Sequence, residues 1–269
     1  MPARPLLFEF RNLTVYRGER RALDGLDLDL RAGEHVAILG PNGGGKSTLV
    51  KTLLREVYPV PDTPGYRFRL RGEEFADITD FRRHLGVVAP DLLQKLSHEV
   101  SVRAVRGLEL VLSGFFDSIG LWPHLRPNPR QRRRARAALR QVGAARLADR
   151  PVAELSSGEQ LRLLIARALV HDPAALLLDE PTAHLDPGAA LAFRTTLRRL
   201  CRRRRSVVLV THHVEDIVPE IERVVLLRGG RIVADGPARR VLSSRALSAL
   251  FGASLRLRRA ADGWRVGPA

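Results

Sequence analysis

One cysteine, Cys201, in 269 residues excludes an internal disulfide, which suits a reducing compartment. Long apolar runs are missing as well. The best candidate, residues 108–121, is interrupted by Glu109, Gly114 and Asp117 and falls short of the roughly 20 residues that a membrane-spanning helix needs. The opening segment "MPARPLLFEFRNLTV" lacks the continuous apolar core and small-residue cleavage site of a secretory signal. These absences point to the cytoplasm and to no direct membrane span, so work at a membrane would need a partner. Lysine is scarce too. Lys46, Lys51 and Lys95 are the only ones, so arginine supplies 42 of the 45 basic side chains behind a net charge of +16. Genome-wide codon bias produces that pattern without selection for binding. The clusters "RQRRRARAALR" (130–140) and "RRLCRRRR" (198–205) therefore read first as solvated helix faces, with nucleic acid kept as the lesser reading.

What is present is 45% hydrophobic content, enough to bury the core of one large domain or two modest ones. In "LTVYRGERRALDGLDLDLRAGE", Leu26, Leu28 and Leu30 alternate with Asp27 and Asp29, the period of half-buried antiparallel strands. "HVAILG" is then a continuous apolar run, and "KSTLVKTLLREVY" spaces Leu49, Leu53 and Val57 along one helical face. Residues 97–150 read as mostly helical, broken by "LWPHLRPNPR", whose three prolines sit badly in a regular element. After "LSSGEQ" come a second helix, a buried strand in "AALLLDE", a helix over about 188–203 and a β-branched strand in "SVVLVTHH". This alternation predicts an α/β fold: a mixed, parallel-core sheet with an N-terminal antiparallel β subdomain and an inserted helical subdomain. "RVVLLRGGRIVADG" predicts two strands joined at Gly229-Gly230, and "RLRRAADGWRVGPA" a last short hairpin or tail. The expected divisions are 1–96 (β subdomain and first part of the core), 97–155 (helical subdomain), 156–240 (second half of the core) and 241–269 (C-terminal extension).

"GPNGGGKST" fits G-x-x-x-x-G-K-[ST], with Gly40, Gly45, Lys46 and Ser47 in the fixed places. Glycines let successive N–H groups curl toward phosphate oxygens, and the positive end of the following helix dipole adds to the same attraction. Lys46 then reaches the β- and γ-phosphates and the Ser47 hydroxyl coordinates Mg²⁺. In "AALLLDEPTAHLD" the strand delivers Asp179 and Glu180 to its carboxyl end, where phosphoryl groups sit in parallel α/β sheets. Asp179 is the candidate to hold the metal through water, and Glu180 the candidate general base for an attacking water. His212, directly after Thr211, is the candidate to contact the γ-phosphate; a histidine there also serves simply to cap a strand.

Taken together, these motifs resemble the ATP-binding subunit of the ABC transporter family over nearly the whole chain. "GPNGGGKST" is similar to the Walker A motif, "LLLDE" to Walker B, "AHLD" to the D-loop and "VTHH" to the switch-histidine motif. "LSSGEQ" resembles the signature LSGGQ, with Ser157 in place of the first glycine and Glu159 in place of the glutamine. The resemblance implies a P-loop NTPase of ABC type, an ATPase that uses ATP and Mg²⁺. It implies nucleotide contacts from Gly40, Pro41, Asn42, Gly43, Gly44, Gly45, Lys46, Ser47 and Thr48. Ser156, Gly158 and Glu159 would close in trans on the ATP of a second subunit packed head to tail. Tyr16 matches the position of the aromatic that lies under adenine, and otherwise reads as a core strand aromatic. The family's metal-binding glutamine at a strand end falls in "LGVVAPDLLQKL", where Gln94 is the favoured match and Asp91 the fallback.

The implied function is an ATP-binding and ATP-hydrolysing subunit that dimerises around two ATP molecules and drives an integral-membrane permease. It would lie on the inner face of the cell membrane, and its single-cassette layout is closest to iron-chelate and molybdate-type importer ATPases. "VLSGFFDSIGLW" resembles a subgroup related to molybdate-transport ATPases whose membrane partners are not evident. The alternative is therefore a soluble ABC-type ATPase with a regulatory or scaffold role and no permease.

Overall fold

Alternating apolar and polar residues at the start of the chain do produce two long antiparallel strands, followed by a buried strand and a glycine loop. In the computed structural model, which describes residues 4–60, 64–74, 84–92, 96, 104–203 and 205–269, the strands in chain order are β1 (Leu6–Arg17), β2 (Arg20–Arg31), β3 (His35–Leu39), β4 (Arg67–Leu70), β5 (Leu85–Val88), β6 (Ala175–Asp179), β7 (Ser206–Thr211), β8 (Arg223–Arg228), β9 (Arg231–Pro237), β10 (Leu255–Ala260) and β11 (Gly263–Pro268). The helices are α1 (Lys46–Leu53), α2 (Gly107–Leu112), α3 (Pro129–Gln141), α4 (Ser157–Ala168), α5 (Pro187–Cys201), α6 (Ala238–Val241) and α7 (Ser244–Phe251). They fall into two units, Met1–Arg82 with Arg204–Ala269, and Arg83–Arg203.

In the first unit β1 pairs with β2 and β4 in an antiparallel sheet whose inner face is apolar. Phe8 stands opposite Leu30 and Leu70, and Phe10 opposite Leu28 and Phe68, with the Phe10 and Phe68 rings 4.7 Å apart. Beside it, β3 lies parallel between β7 and β8, and β9 closes the edge of β8 antiparallel. Leu39 is in register with Thr211 on one side and Leu226 on the other, so β3 and β7 end together where the glycine loop begins, while β8 runs two residues further to its turn with β9. The turn between β8 and β9 falls at Gly229 and Gly230, both at positive φ, as a two-residue hairpin turn requires.

The second unit holds the parallel pair β5–β6, in register from Leu85/Ala175 to Val88/Leu178, with α2 to α5. Every residue of β6 is buried. The guanidinium of Arg167 ties α4 to the segment after α2: its Nη2 donates to Ser118 O (3.0 Å) and its Nε to Ser113 Oγ (3.4 Å). Burial pushes the Arg167 pKa down from its ordinary value, and Asp117 counters that.

Three local expectations are revised. α1 was expected to run to Val57 but stops at Leu53, because Arg55 turns to φ +57 and lays its guanidinium 3.8 Å from the centre of the Phe68 ring. Pro129 sits inside a regular element after all: it is the first residue of α3, where its missing N–H has no helical partner to lose, and Asn128 and Gln131 form a reciprocal cap around it. The C-terminal extension carries α7 before its hairpin, with Leu247 and Leu250 buried. Among the described residues no helix is long and apolar enough to cross a membrane.

Candidate nucleotide site

The glycine loop leaves β3 under tight steric control. A Cβ on Gly40 would lie 2.2 Å from Leu227 O, and Gly45 has φ +106 with room for no side chain between Ala22 O and the Gly230 backbone. Backbone hydrogen bonds hold the loop on both flanks: Gly40 N–H donates to Thr211 O (3.3 Å) and Gly230 N–H to Gly44 O (2.9 Å). The β8–β9 turn is thus a buttress, itself anchored because Asp24 N–H donates to Gly230 O (3.0 Å). Lys46 is buried and its Nζ donates to Gly40 O (2.8 Å) and Pro41 O (3.1 Å), which folds the loop around an ammonium. Gly45, the residue before α1, makes no side-chain cap, so no capping side chain covers the N–H groups of that helix end. Asn42, Gly43 and Ser47 are exposed, and Pro41 and Thr48 half-buried. Gly40→Ala should lower stability by about 1–3 kcal/mol through forced separation of β3 from β8, read as a fall of several degrees in the melting midpoint.

Tyr16 is 43% exposed at the end of β1, so it is not a core aromatic. Its Oη accepts from Arg21 Nε (3.2 Å) and Nη2 (3.1 Å), and Arg21 also binds Asp24 at 2.8 Å. The hydrogen bond from Arg21 holds the Asp24 carboxyl below its usual range, with Arg231 adding to the effect.

His212 follows the last residue of β7, and its ring centre lies 3.9 Å from that of His213. The turn that carries it is shaped by Thr211, whose Oγ1 accepts from His213 N–H (3.0 Å) and donates to the buried Asp216 Oδ2 (3.2 Å). One residue earlier, Glu215 Oε1 accepts from Val266 N–H of β11 (3.1 Å), so the last hairpin is fastened to the same turn. This brace was not singled out in the sequence; the signal is an aspartate inside the apolar run "VEDIV". Asp216→Ala should leave Thr211 short of a buried partner, costing about 1–3 kcal/mol. With His212 as the candidate γ-phosphate contact on this turn, ATP turnover should fall about tenfold with nucleotide affinity unchanged, since displacement of such a contact lowers kcat; thermal melting and steady-state ATPase assays check both.

In the second unit Asp179 ends β6 and is buried, and Glu180 follows, half-buried at φ +47. A left-handed conformation at a glutamate costs energy that the surrounding fold must offset, a pattern that clusters at functional sites. The chain then turns through Thr182 to Asp186, whose side chain caps α5 by accepting from Ala189 N–H (2.9 Å). Ser156 caps α4: its Oγ accepts from Glu159 N–H (3.3 Å), and Glu159 Oε2 accepts from Ser156 N–H (3.2 Å). Glu159 in place of the signature glutamine is thereby explained as the return half of a capping box, further held by Arg146 at 3.4 Å. The spacing Ser-x-x-Glu carried that signal. Gly158 is buried and a Cβ there would lie 2.8 Å from Ala189 Cβ, so its small size lets α4 and α5 touch at their first turns. Asp91 is exposed in a short helical segment after β5. Gln94 lies outside the described residues.

The sequence pattern of the family described as ABC transporter matches residues 23–183, more than half of the chain and including the glycine loop, the signature and the Asp179–Glu180 pair. The chain belongs to the ABC transporter family. Among curated relatives, the phosphonates import ATP-binding protein PhnC of Alcaligenes faecalis is 33% identical, with 92% of this chain and 88% of the relative covered. The cobalt import ATP-binding protein CbiO of Rhodobacter capsulatus is 37% identical, with 88% and 81% covered. Among solved structures, a metal-chelate type ABC transporter in an inward-facing conformation is 25% identical with a TM-score of 0.77, covering 98% of both chains. A dimeric ATP-binding cassette in a post-hydrolysis state, bound to ADP and Pi, is 26% identical with a TM-score of 0.66, covering 86% of this chain and 98% of that one. This ABC protein is thus an ATP-binding subunit and an ATPase, with the mixed α/β cassette fold. Its loop fits a nucleotide phosphate on its own geometry: side chains are excluded at Gly40 and Gly45, and a buried ammonium and a helix N-terminus lie within it. The hydroxyl of Ser47 and the carboxylate of Asp179 are hard oxygen donors of the kind that suit Mg²⁺.

Proposed function

We propose that this ABC ATPase pairs head to tail with a second copy or a related subunit around two ATP molecules, and drives transport through an integral-membrane permease on the inner face of the membrane. Import is the direction supported by the relatives, PhnC and CbiO, both named for import. Residues 40–48 cradle the phosphates, Lys46 neutralises charge on the β- and γ-oxygens, and Tyr16 stacks under the adenine. Ser47 and Asp179, with Gln94 or Asp91, are the residues that would hold Mg²⁺, which neutralises phosphate charge when bound. Glu180 takes a proton from the attacking water, and His212 steadies the γ-phosphate. Ser156, Gly158 and Glu159 present the N-terminus of α4 to the nucleotide of the paired subunit, so closure of the pair is favoured only when ATP occupies it.

The observation that carries this reading is the glycine loop, which is sterically closed to side chains and wrapped around the buried Lys46 ammonium. Affinity purification of the Glu180→Gln protein with Mg-ATP from its native cells tests the finer assignment. A multi-spanning protein recovered in stoichiometric amount establishes the permease and names the substrate class. Recovery of an ATP-bound pair alone, or with cytosolic proteins, replaces transport with the soluble regulatory role.

A further inference from the structure

We infer that the outer face of α3 is a docking surface for anionic lipid, so that the ATPase touches the membrane surface directly and not only through a permease. Between residues 118 and 148 the sequence has eight arginines and not one Asp or Glu. The buried side of α3 is Ala135, Ala138 and Leu139; Arg130, Arg133, Arg136 and Arg140 are exposed on the opposite face at helical spacing. At 1.5 Å per residue that stripe is about 15 Å long. Among the described residues none of these four takes part in an ion pair, unlike Arg223 with Glu34 and Asp235, Arg265 with Asp262, or Arg146 with Glu159. The exposed Arg239, Arg240, Arg256 and Arg258 are also without one, so it is the carboxylate-free stripe on one helix, and not lack of pairing, that sets α3 apart. Codon bias scatters arginine throughout the chain, but it does not strip carboxylates from one face. Four cations held on a rigid, capped helix attract a polyanion at little entropic cost on docking.

Two observations select a phosphate-headgroup surface over nucleic acid. Trp122, seven residues before α3, is 44% exposed, and indole partitions to the membrane interface. It is the only aromatic residue besides His124 in residues 118–148, whereas single-stranded nucleic acid is held by successive stacking platforms. Work at a membrane, the role proposed above, is the remaining reason for choosing lipid. The test uses the ATPase alone, so its outcome does not depend on whether a permease is found.

The full-length protein is sedimented with vesicles of phosphatidylcholine alone or with 30% phosphatidylglycerol. Wild type should bind the anionic vesicles selectively, with affinity falling steeply as salt rises. At about fivefold per arginine near the surface, the variant Arg130→Gln/Arg133→Gln/Arg136→Gln/Arg140→Gln should bind about 600-fold more weakly, with basal ATPase and melting unchanged. A charge-matched control, Arg239→Gln/Arg240→Gln/Arg256→Gln/Arg258→Gln, should stay within a few-fold of wild type. Three results overturn the inference: equal affinity for neutral and anionic vesicles, an equal loss in the control, or RNA or DNA bound in preference to the anionic vesicles at the same salt.

Discussion

Glu180→Gln should bind ATP within about twofold of wild type and turn it over about 10²–10⁴-fold more slowly, the usual contribution of a positioned general base. Glutamine preserves the length and shape of the side chain, and it meets the left-handed backbone at φ +47 with the same difficulty as glutamate. What it loses is the oxygen basic enough to take a proton. The fold, the glycine loop and Lys46 are untouched, so melting and nucleotide affinity should hold while single-turnover hydrolysis slows. With ATP retained, the paired state should accumulate and be visible by light scattering in Mg-ATP and absent in Mg-ADP. Hydrolysis at the wild-type rate would remove Glu180 from the role of base and leave its backbone strain without a catalytic reason.

Lys46→Ala should act on the other half of the cycle. The ammonium is buried and held in the loop by donating to Gly40 O and Pro41 O at 2.8 and 3.1 Å, so its charge is already placed within the phosphate loop. Hydrogen bonds to charged groups contribute about 1.5–3 kcal/mol, which corresponds to a loss of about 10- to 150-fold in ATP affinity, measured by calorimetric titration. Lys46→Arg should not rescue it, because a planar guanidinium does not replace a compact ammonium in a site closed on both flanks by backbone. Nucleotide affinity unchanged in Lys46→Ala would rule out the loop as the phosphate cradle. The two variants separate cleanly: one keeps ATP and stalls, the other does not hold it.

Much of this architecture is written locally. The period of two in Leu26, Leu28 and Leu30 needs only one apolar face to become β2, and Gly229-Gly230 needs only its own φ angles to become a hairpin turn. The early stop of α1 is different in kind. Nothing between Lys51 and Val57 breaks a helix; the cause is Phe68 on β4, distant in sequence, which takes up the Arg55 guanidinium. The same holds for the site. The glycine loop is legible because its spacing is its geometry, but Gly230, which props the loop at Gly44, and Asp216, which braces the His212 turn at Thr211, come from segments that carry no phosphate motif. Glu159 departs from the signature glutamine, yet the spacing Ser-x-x-Glu marks the capping box that closes the first turn of α4.

The contact between Gly158 and Ala189 joins the start of the signature helix to the start of α5, and α5 is capped by Asp186, six residues after Glu180. The loop proposed to touch a partner's nucleotide and the strand end proposed to hydrolyse the subunit's own are therefore tied to one helix junction, with a glycine at its contact. A bulkier residue at 158 would pry the two apart.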